Sequence, residues 1–365
     1  MNGNYEAVQA KAMAKRGHEV YCMCICNRSL IHVGDYHKIS NRVVNGVSVY
    51  EMPSILPYLP KLPHIPCLEN RCITKDYDYL YRYIIKKHGV PDIVHCQCLY
   101  VLQYAAVIKK RYKIPFVHSE HWSEVNKEKV DERVMAMGQS YQYPDKIITV
   151  SKALSDSLHK LFGVYPVVVN NMVDDSFFSP VKKVPKMPCF KFISVGRLVY
   201  DKHFDLLIQS FAEAGFGKNV TLDIVGMGEE FHFLQDTIRK YKVEDQVHLV
   251  GLQPPAVVAK MLESADCFVL TSRLETFGIV IIEAMAKGLP VISVPCGGPE
   301  EIIVSEVGIL TKDRNPKTIS EAMTNMVNNR HRFDSNYIRK YCYDNYSQES
   351  IAKAIESIYK QIIIQ

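Results

Sequence analysis

The stretch CFVLTSRLETFGIVIIEAMAKGLPVISV, residues 267–294, reads as one complete strand–helix–strand unit. Cys267–Leu270 and residues 291–294 are short apolar runs, and a helix is predicted between them from near Phe277 or Gly278. Thr276 is placed to cap that helix, Gly288 to end it, and Pro290 to prevent its continuation. A unit of this length closes a parallel βαβ crossover. The same alternation recurs on both sides. In the second half, strands are predicted over Phe190–Val195, Val220–Val225 and 247–250. In the first half they are predicted over 18–26, 46–51, 92–97, 115–119, 146–150 and 167–170, with helices over 4–16, 76–88 and 100–111. A last helix is expected over 347–364, apolar at Ile351, Ala354, Ile355, Ile358 and Ile362.

The series breaks once, at 174–188, which holds Pro180, Pro185 and Pro188. The sequence therefore predicts an α/β protein: a domain over 1–175, a linker over 176–188, a second domain over 189–345, and a C-terminal helix over 346–365 packing back toward the first domain. Two Rossmann-like domains of this kind face a cleft, with ligands at the carboxyl ends of the strands. One element is missing. The turn Asn2-Gly3-Asn4 leads into the first helix, but no strand leads into that turn, although it would normally be central. The expectation is that the natural reading frame starts about 10–20 residues upstream, enough for a strand of ordinary length.

Composition excludes several classes. With 47% apolar and 23% charged residues and 22 Tyr, the chain is not disordered. No apolar run approaches the ~20 residues of a membrane span, and the N-terminus has no signal-peptide core. Eleven Cys, an odd number with no small disulfide scaffold, suit a reducing cytosol. Charge is uneven: residues 1–180 carry 22 Lys and Arg against 17 Asp and Glu, whereas 181–365 carry 22 of each. An anionic acceptor, or peripheral contact with an anionic inner membrane surface, would suit the basic half. The Pro-rich, apolar segment 52–67 is expected to be neither a regular helix nor a central strand. It reads as a packed loop or as one that meets a lipid or acceptor.

Three clusters carry chemistry. Glu275 falls on the loop after strand 267–270, and Glu283 about two turns into the following helix. Such carboxylates can accept hydrogen bonds from sugar hydroxyls; the alternative is a capped surface helix with incidental acids. At the helix N-terminus, Gly278 allows close approach of a phosphate. Gly196-Arg197 and Lys202 follow strand 190–195, where Gly196 lets the chain turn and the two cations suit a diphosphate. Gly226-Met227-Gly228 is a further glycine turn after a strand.

Together these clusters resemble glycosyltransferase family 4, retaining nucleotide-sugar transferases of the GT-B double-Rossmann fold. The resemblance rests on G-R-L-x-x-x-K at 196–202, G-x-G at 226–228, E-x7-E at 275–283, and Cys296-Gly-Gly-Pro-Glu-Glu301. In the first half it extends to Gly17-His-Glu-Val20, His118-Ser-Glu-His121-Trp122, Val150-Ser-Lys152 and Asn170-Asn-Met-Val-Asp174. It implies that Glu275 contacts the donor hexose, Glu283 holds the ribose, and Arg197 and Lys202 bind the departing diphosphate. The amides of Gly278 and Ile279 would help there, and Gly196, Gly226 and Gly3 would shape the donor loops. His121 resembles the histidine near the reactive carbon, with His118 the competing choice. The resemblance further implies a retaining hexosyltransferase using no cofactor and no metal. Its donor would be a nucleotide-diphosphate sugar and its acceptor a glycan or lipid-linked hydroxyl, in cell-surface polysaccharide or lipopolysaccharide synthesis.

Other patterns point elsewhere. Asp76-Tyr77-Asp78 reads as helix-entry acids rather than a metal motif. Cys22, Cys24 and Cys26 share one strand face and are expected to pack in the core; Cys96-x-Cys98 likewise signals no metal. Lys109-Lys110-Arg111 reads as a solvated helix end, so no nucleic-acid partner is expected. The rival readings are a GT-B nucleotide-sugar 2-epimerase, which would lack the E-x7-E and Arg/Lys spacing, and a catalytically silent sugar-nucleotide-binding protein.

Overall fold

The computed structural model describes residues 5–28, 38–55, 66–127, 129–179 and 189–364. Gly3, the Pro-rich residues 56–65 and linker residues 180–188 lie outside them. The chain divides into two compact units. One holds Tyr5–Val150, Ser155–Val169 and Ala352–Gln365; the other holds Asn170–Ile351 with Ser151–Leu154.

The first unit runs α1 (Tyr5–Lys15), β1 (Val20–Arg28), β2 (Ser40–Val44), β3 (Val47–Ile55), α2 (Pro66–His88), β4 (Val94–Gln97), α3 (Leu99–Tyr112), β5 (Phe116–Glu120), α4 (Glu132–Gly138), β6 (Lys146–Thr149), α5 (Lys152–Phe162) and β7 (Val167–Val168). Its strands form two sheets. β4-β5-β6-β7 is wholly parallel; in β1-β3-β2, β1 pairs parallel and β2 antiparallel with β3. Among the described residues no strand joins β1 to β4. The burial pattern reflects this: β3 buries Val47, Tyr50, Met52 and Ser54, whereas none of Val20–Cys26 in β1 is buried.

That open side corrects two expectations. Cys22 and Cys24 are only half-buried and Cys26 is exposed, so this face is not closed into a core. Pro53 does sit in a central strand. Its partner in β1 is Cys26, but β2 pairs only with Val47–Glu51, so the missing Pro N–H breaks no ladder there. α2 also begins ten residues earlier than predicted, with Pro66 at its first position, where a missing N–H costs nothing. Asp76 and Asp78 are therefore buried mid-helix acids, not helix-entry ones.

The second unit runs β8 (Phe190–Val195), α6 (Phe204–Glu213), β9 (Val220–Val225), α7 (Phe231–Tyr241), β10 (Val247–Gly251), α8 (Pro255–Ser264), β11 (Cys267–Leu270), α9 (Ile279–Ala286), β12 (Val291–Ser293), α10 (Pro299–Ile302), β13 (Gly308–Leu310), α11 (Pro316–Asn328), α12 (Ser335–Tyr346) and the first turn of α13 (Gln348–Ile363). Its sheet is parallel throughout, in the order β10-β9-β8-β11-β12-β13. β8, the first strand of the unit, sits beside β11, and chain order runs outward from this pair in both directions. Such a reversal leaves a crevice at the carboxyl ends of the two strands, where ligands bind in open α/β sheets. The core beneath is apolar: Phe192, Ile193, Leu222, Ile224, Phe268 and Val269 are fully buried.

Candidate active site

The loops leaving β8 and β9 are zipped together by their backbones. Gly196 N–H donates to Val225 O at 3.0 Å, and Leu198 N–H to Met227 O at 3.1 Å. The approach is close enough to require glycine: a Cβ on Gly226 would lie 1.8 Å from Gly196 O, and one on Gly228 2.2 Å from Leu198 O. This pairing fixes the 196–203 loop, which presents exposed Arg197 and half-buried Lys202.

The loop leaving β11 carries Glu275, whose backbone forms an isolated parallel bridge with Gly297. Glu275 N–H donates to Cys296 O at 2.8 Å, and Gly298 N–H to Glu275 O at 3.0 Å. A Cβ on Gly298 would meet the Phe277 backbone at 2.3 Å. The Glu275 carboxylate accepts from Lys202 Nζ in a short ion pair, and from Ser272 Oγ at 2.8 Å. The structure thus brings together Gly196, Lys202, Gly226 and Glu275 around the crevice end of β8 and β11.

Helix α9 starts at Ile279, and its N-cap is Gly278, at φ +96°, with no side-chain cap. Thr276 therefore does not cap it as predicted; a glycine in the left-handed region makes the turn instead. The first amides of such a helix have no intrahelical acceptor. The Cys296 and Gly297 amides, in contrast, are occupied by the Glu300 carboxylate at 2.9–3.1 Å. Glu283 lies about one turn into α9, not two, because the helix starts later than predicted. Burial, helped by the Asp174 charge, pushes its carboxyl up from 4.5 to about 7.

His121 lies in the other unit, just after β5. Its Nε2 is 3.2 Å from Glu6 Oε1, and the Tyr5 ring meets it edge-on at 5.5 Å. Burial alone would raise the Glu6 carboxyl, but the His121 hydrogen bond and charge and a backbone N–H outweigh it and hold Glu6 below its usual range. His118 is fully buried and donates to Glu120 at 3.1 Å. It belongs to the interior, which leaves His121 as the accessible histidine of this segment.

Glu120 was not singled out by the sequence reading. It is wholly buried and accepts from Leu99 N at 2.8 Å, Tyr141 OH at 2.7 Å, His121 N at 3.0 Å and Trp122 N at 2.8 Å, besides His118. Burial would raise its carboxyl, but these donors and the His118 charge hold it low. The signal was available: an acid inside an apolar strand needs buried donors. Ser272 and Arg273 were also missed; Arg273 stacks on the Tyr200 ring at 4.1 Å. Among the described residues no group of three or more His, Cys, Asp or Glu is arranged to hold a metal ion.

Two family models match the chain: "Glycosyltransferase Family 4" over residues 5–177 and "Glycosyl transferases group 1" over 178–340. The chain is 27% identical over 380 residues to an uncharacterized glycosyltransferase of Methanocaldococcus jannaschii, covering 96% of this chain and 92% of that protein. It is 24% identical to the N-acetyl-alpha-D-glucosaminyl L-malate synthase of Bacillus anthracis, covering 97% and 92%. Among solved structures it is similar to sucrose-phosphate synthase from Thermosynechococcus elongatus, with TM-score 0.80, 18% identity, and coverage of 99% and 93%. It is also similar to Anabaena HepE in complex with UDP and glucose, with TM-score 0.75, 16% identity, and coverage of 99% and 96%. These likenesses establish the GT-B fold.

Proposed function

The chain belongs to glycosyltransferase family 4, and on that premise we propose that it moves a hexose from a nucleotide-diphosphate sugar to a hydroxyl of a glycan or lipid-linked acceptor, with retention of configuration. The observation that carries this reading is the meeting of Lys202 with the carboxylate of Glu275 at the crevice end of β8 and β11, with exposed Arg197 on the same loop as Lys202 and the uncapped N-terminus of α9 following Glu275. Diphosphate departs as a multiply charged anion, so the step needs charge stabilisation where that charge develops. Arg197 offers a planar fork, Lys202 a point charge, and the Gly278 and Ile279 amides a helix N-terminus. No step here calls for a metal.

Glu275 accepts from hexose hydroxyls and Glu283 from the ribose. The acceptor hydroxyl attacks on the face the diphosphate leaves, and the leaving phosphate takes its proton. His121 serves near the donor's reactive carbon, the role its resemblance implies. Donor chemistry of this kind is supported by HepE, which was solved with UDP and glucose. Assembly of a cell-surface polysaccharide or lipopolysaccharide on the cytoplasmic side is the setting that fits a lipid-linked acceptor. The test is a panel of nucleotide sugars with nucleotide release followed with and without acceptor, in buffer with EDTA. Release with one donor, stimulated by acceptor and unaffected by EDTA, is expected. No release with any donor would sink the transferase reading. Loss in EDTA restored by Mn²⁺ would sink the metal-free one.

A further inference from the structure

Helix α1 is anchored in the first unit through one face, where Tyr5, Gln9, Ala12 and Met13 follow at helical spacing and are all buried. Gln9 is the polar member of that face. Its Nε2 donates to His95 Nδ1 of β4 at 3.1 Å, and its Oε1 accepts from Gln97 Nε2 at 3.2 Å. Burial, with the charges of His118 and His121, holds the His95 imidazole down at about 3 and so neutral. Its Nδ1 therefore accepts, and its Nε2–H donates to Ser119 Oγ of β5 at 2.8 Å. This clamp sets the first turn of α1 beside the end of β5, where Tyr5 and Glu6 both meet His121.

The His121 main chain is held from behind, because its N–H donates to Glu120 at 3.0 Å. That leaves rotation of the ring to be settled by α1. The Tyr5 ring lies edge-on to it at 5.5 Å, and Glu6 Oε1 is 3.2 Å from its Nε2. An ionised carboxylate can only accept, so the proton of a neutral His121 ring stands on Nε2 and leaves Nδ1 bare.

We propose that Glu6 is a positioning residue for His121, fixing the plane of the ring and the nitrogen that carries its proton. The proposal rests on the role given to His121 above, beside the donor's reactive carbon. A histidine there works only if the same nitrogen faces the reaction in every molecule. Glu6 is 48% exposed, so the pair is worth little to stability. As an acid in the first turn Glu6 also meets the positive end of the helix dipole, but that simpler role would leave the His121 ring indifferent to its loss.

The test labels the full chain with ¹⁵N-histidine and records the ring nitrogens well above the ordinary imidazole range. His121→Ala identifies the His121 signals among the 13 histidines. In the unmodified chain a single tautomer, protonated at Nε2, is expected. Glu6→Ala should give a mixture of both, and Glu6→Gln, which keeps an acceptor oxygen on the same stem, should restore the single one. Turnover is read with the donor found by the nucleotide-release panel. Glu6→Ala should lower kcat about 10–100-fold and leave the donor KM within about twofold, the pattern of an interaction needed only on the way to the transition state. Glu6→Gln should recover most of that loss, and circular dichroism melts of both variants should match the unmodified chain. The proposal is overturned if His121 is protonated at Nδ1 in the unmodified chain, or if its signals ignore Glu6→Ala. It is equally overturned if Glu6→Ala keeps full turnover while His121→Ala loses it. Full turnover in His121→Ala would overturn the role of His121 and this proposal with it, which sets that failure apart from the others.

Discussion

Lys202 and Glu275, 73 residues apart in sequence, meet in a short ion pair at the crevice end of β8 and β11. Each is proposed to serve a different part of the donor, one its diphosphate and the other its hexose. The Glu275 carboxylate is already engaged by the Lys202 ammonium, so donor hydroxyls must compete with it for the same oxygens. The two substitutions should then be strongly non-additive. In a cycle of Lys202→Ala, Glu275→Ala and the double variant, a coupling of about 0.5–3 kcal/mol in kcat/KM is expected. Additive losses would mean that the pair plays no part in the working enzyme.

Arg197 is exposed, whereas Lys202 beside it on the loop is half-buried. Arg197→Ala should weaken a nucleoside diphosphate by about 1.5–3 kcal/mol, the worth of a charge-assisted hydrogen bond, and leave the bare nucleoside unaffected. Calorimetric titration with both ligands decides it; equal losses would contradict a phosphate contact.

Glu283 gives a pH signature. Its carboxyl is raised from 4.5 to about 7 in the folded protein. A raised acid supports folding fully below its unfolded value and loses that support as pH climbs through its folded one. Unmodified protein should therefore lose stability relative to Glu283→Gln between pH 4.5 and 7, by about 3 kcal/mol. Urea melts of both across that window are the measurement, and parallel curves would refute the shift.

Glu120 gathers five donors, so the cost of losing it depends on what replaces it. Glu120→Ala strands the amides of Leu99, His121 and Trp122 in the interior and should cost about 3–5 kcal/mol. Glu120→Gln keeps one acceptor oxygen and should cost less. Equal melting temperatures for the two would show that the network carries little.

Gly226 and Gly251 both take positive φ, at +152° and +79°, but only Gly226 is hemmed in. Gly226→Ala should lower stability by about 1–3 kcal/mol or more through the clash with Gly196 O, and donor binding should fall with it. Gly251→Ala meets open space and should cost only the strain of a left-handed residue, about 1–2 kcal/mol.

How much of this was readable beforehand depended on burial. The strands Phe190–Val195, Val220–Val225 and Cys267–Leu270 were legible to the residue because they are apolar runs closed off at both ends. β2 was not legible: Ser40–Val44 is exposed along its whole length, so no apolar pattern marks it. The first turns of α2 were hidden by the prolines before it. The Glu275 and Lys202 positions could be read as a crevice cluster, because each follows a strand by a fixed number of residues. Their mutual ion pair could not, since it depends on side-chain reach across two loops. Glu120 is legible only as an acid inside an apolar strand; its network is not, since Leu99 and Tyr141 reach it from segments 21 residues away on either side.

The small bridge between Glu275 and Gly297 has a thermodynamic consequence. A carboxylate on a free loop would have to surrender backbone freedom each time it gripped a sugar, at about 1–2 kcal/mol per residue fixed. Here the loops after β11 and β12 are already laced together before any donor arrives. That entropic cost is met once, when the chain folds, and not at each turnover. Disordering this lacing, for instance by Gly298→Ala against the Phe277 backbone, should therefore appear in calorimetry as a more unfavourable binding entropy, even where every donor contact is kept.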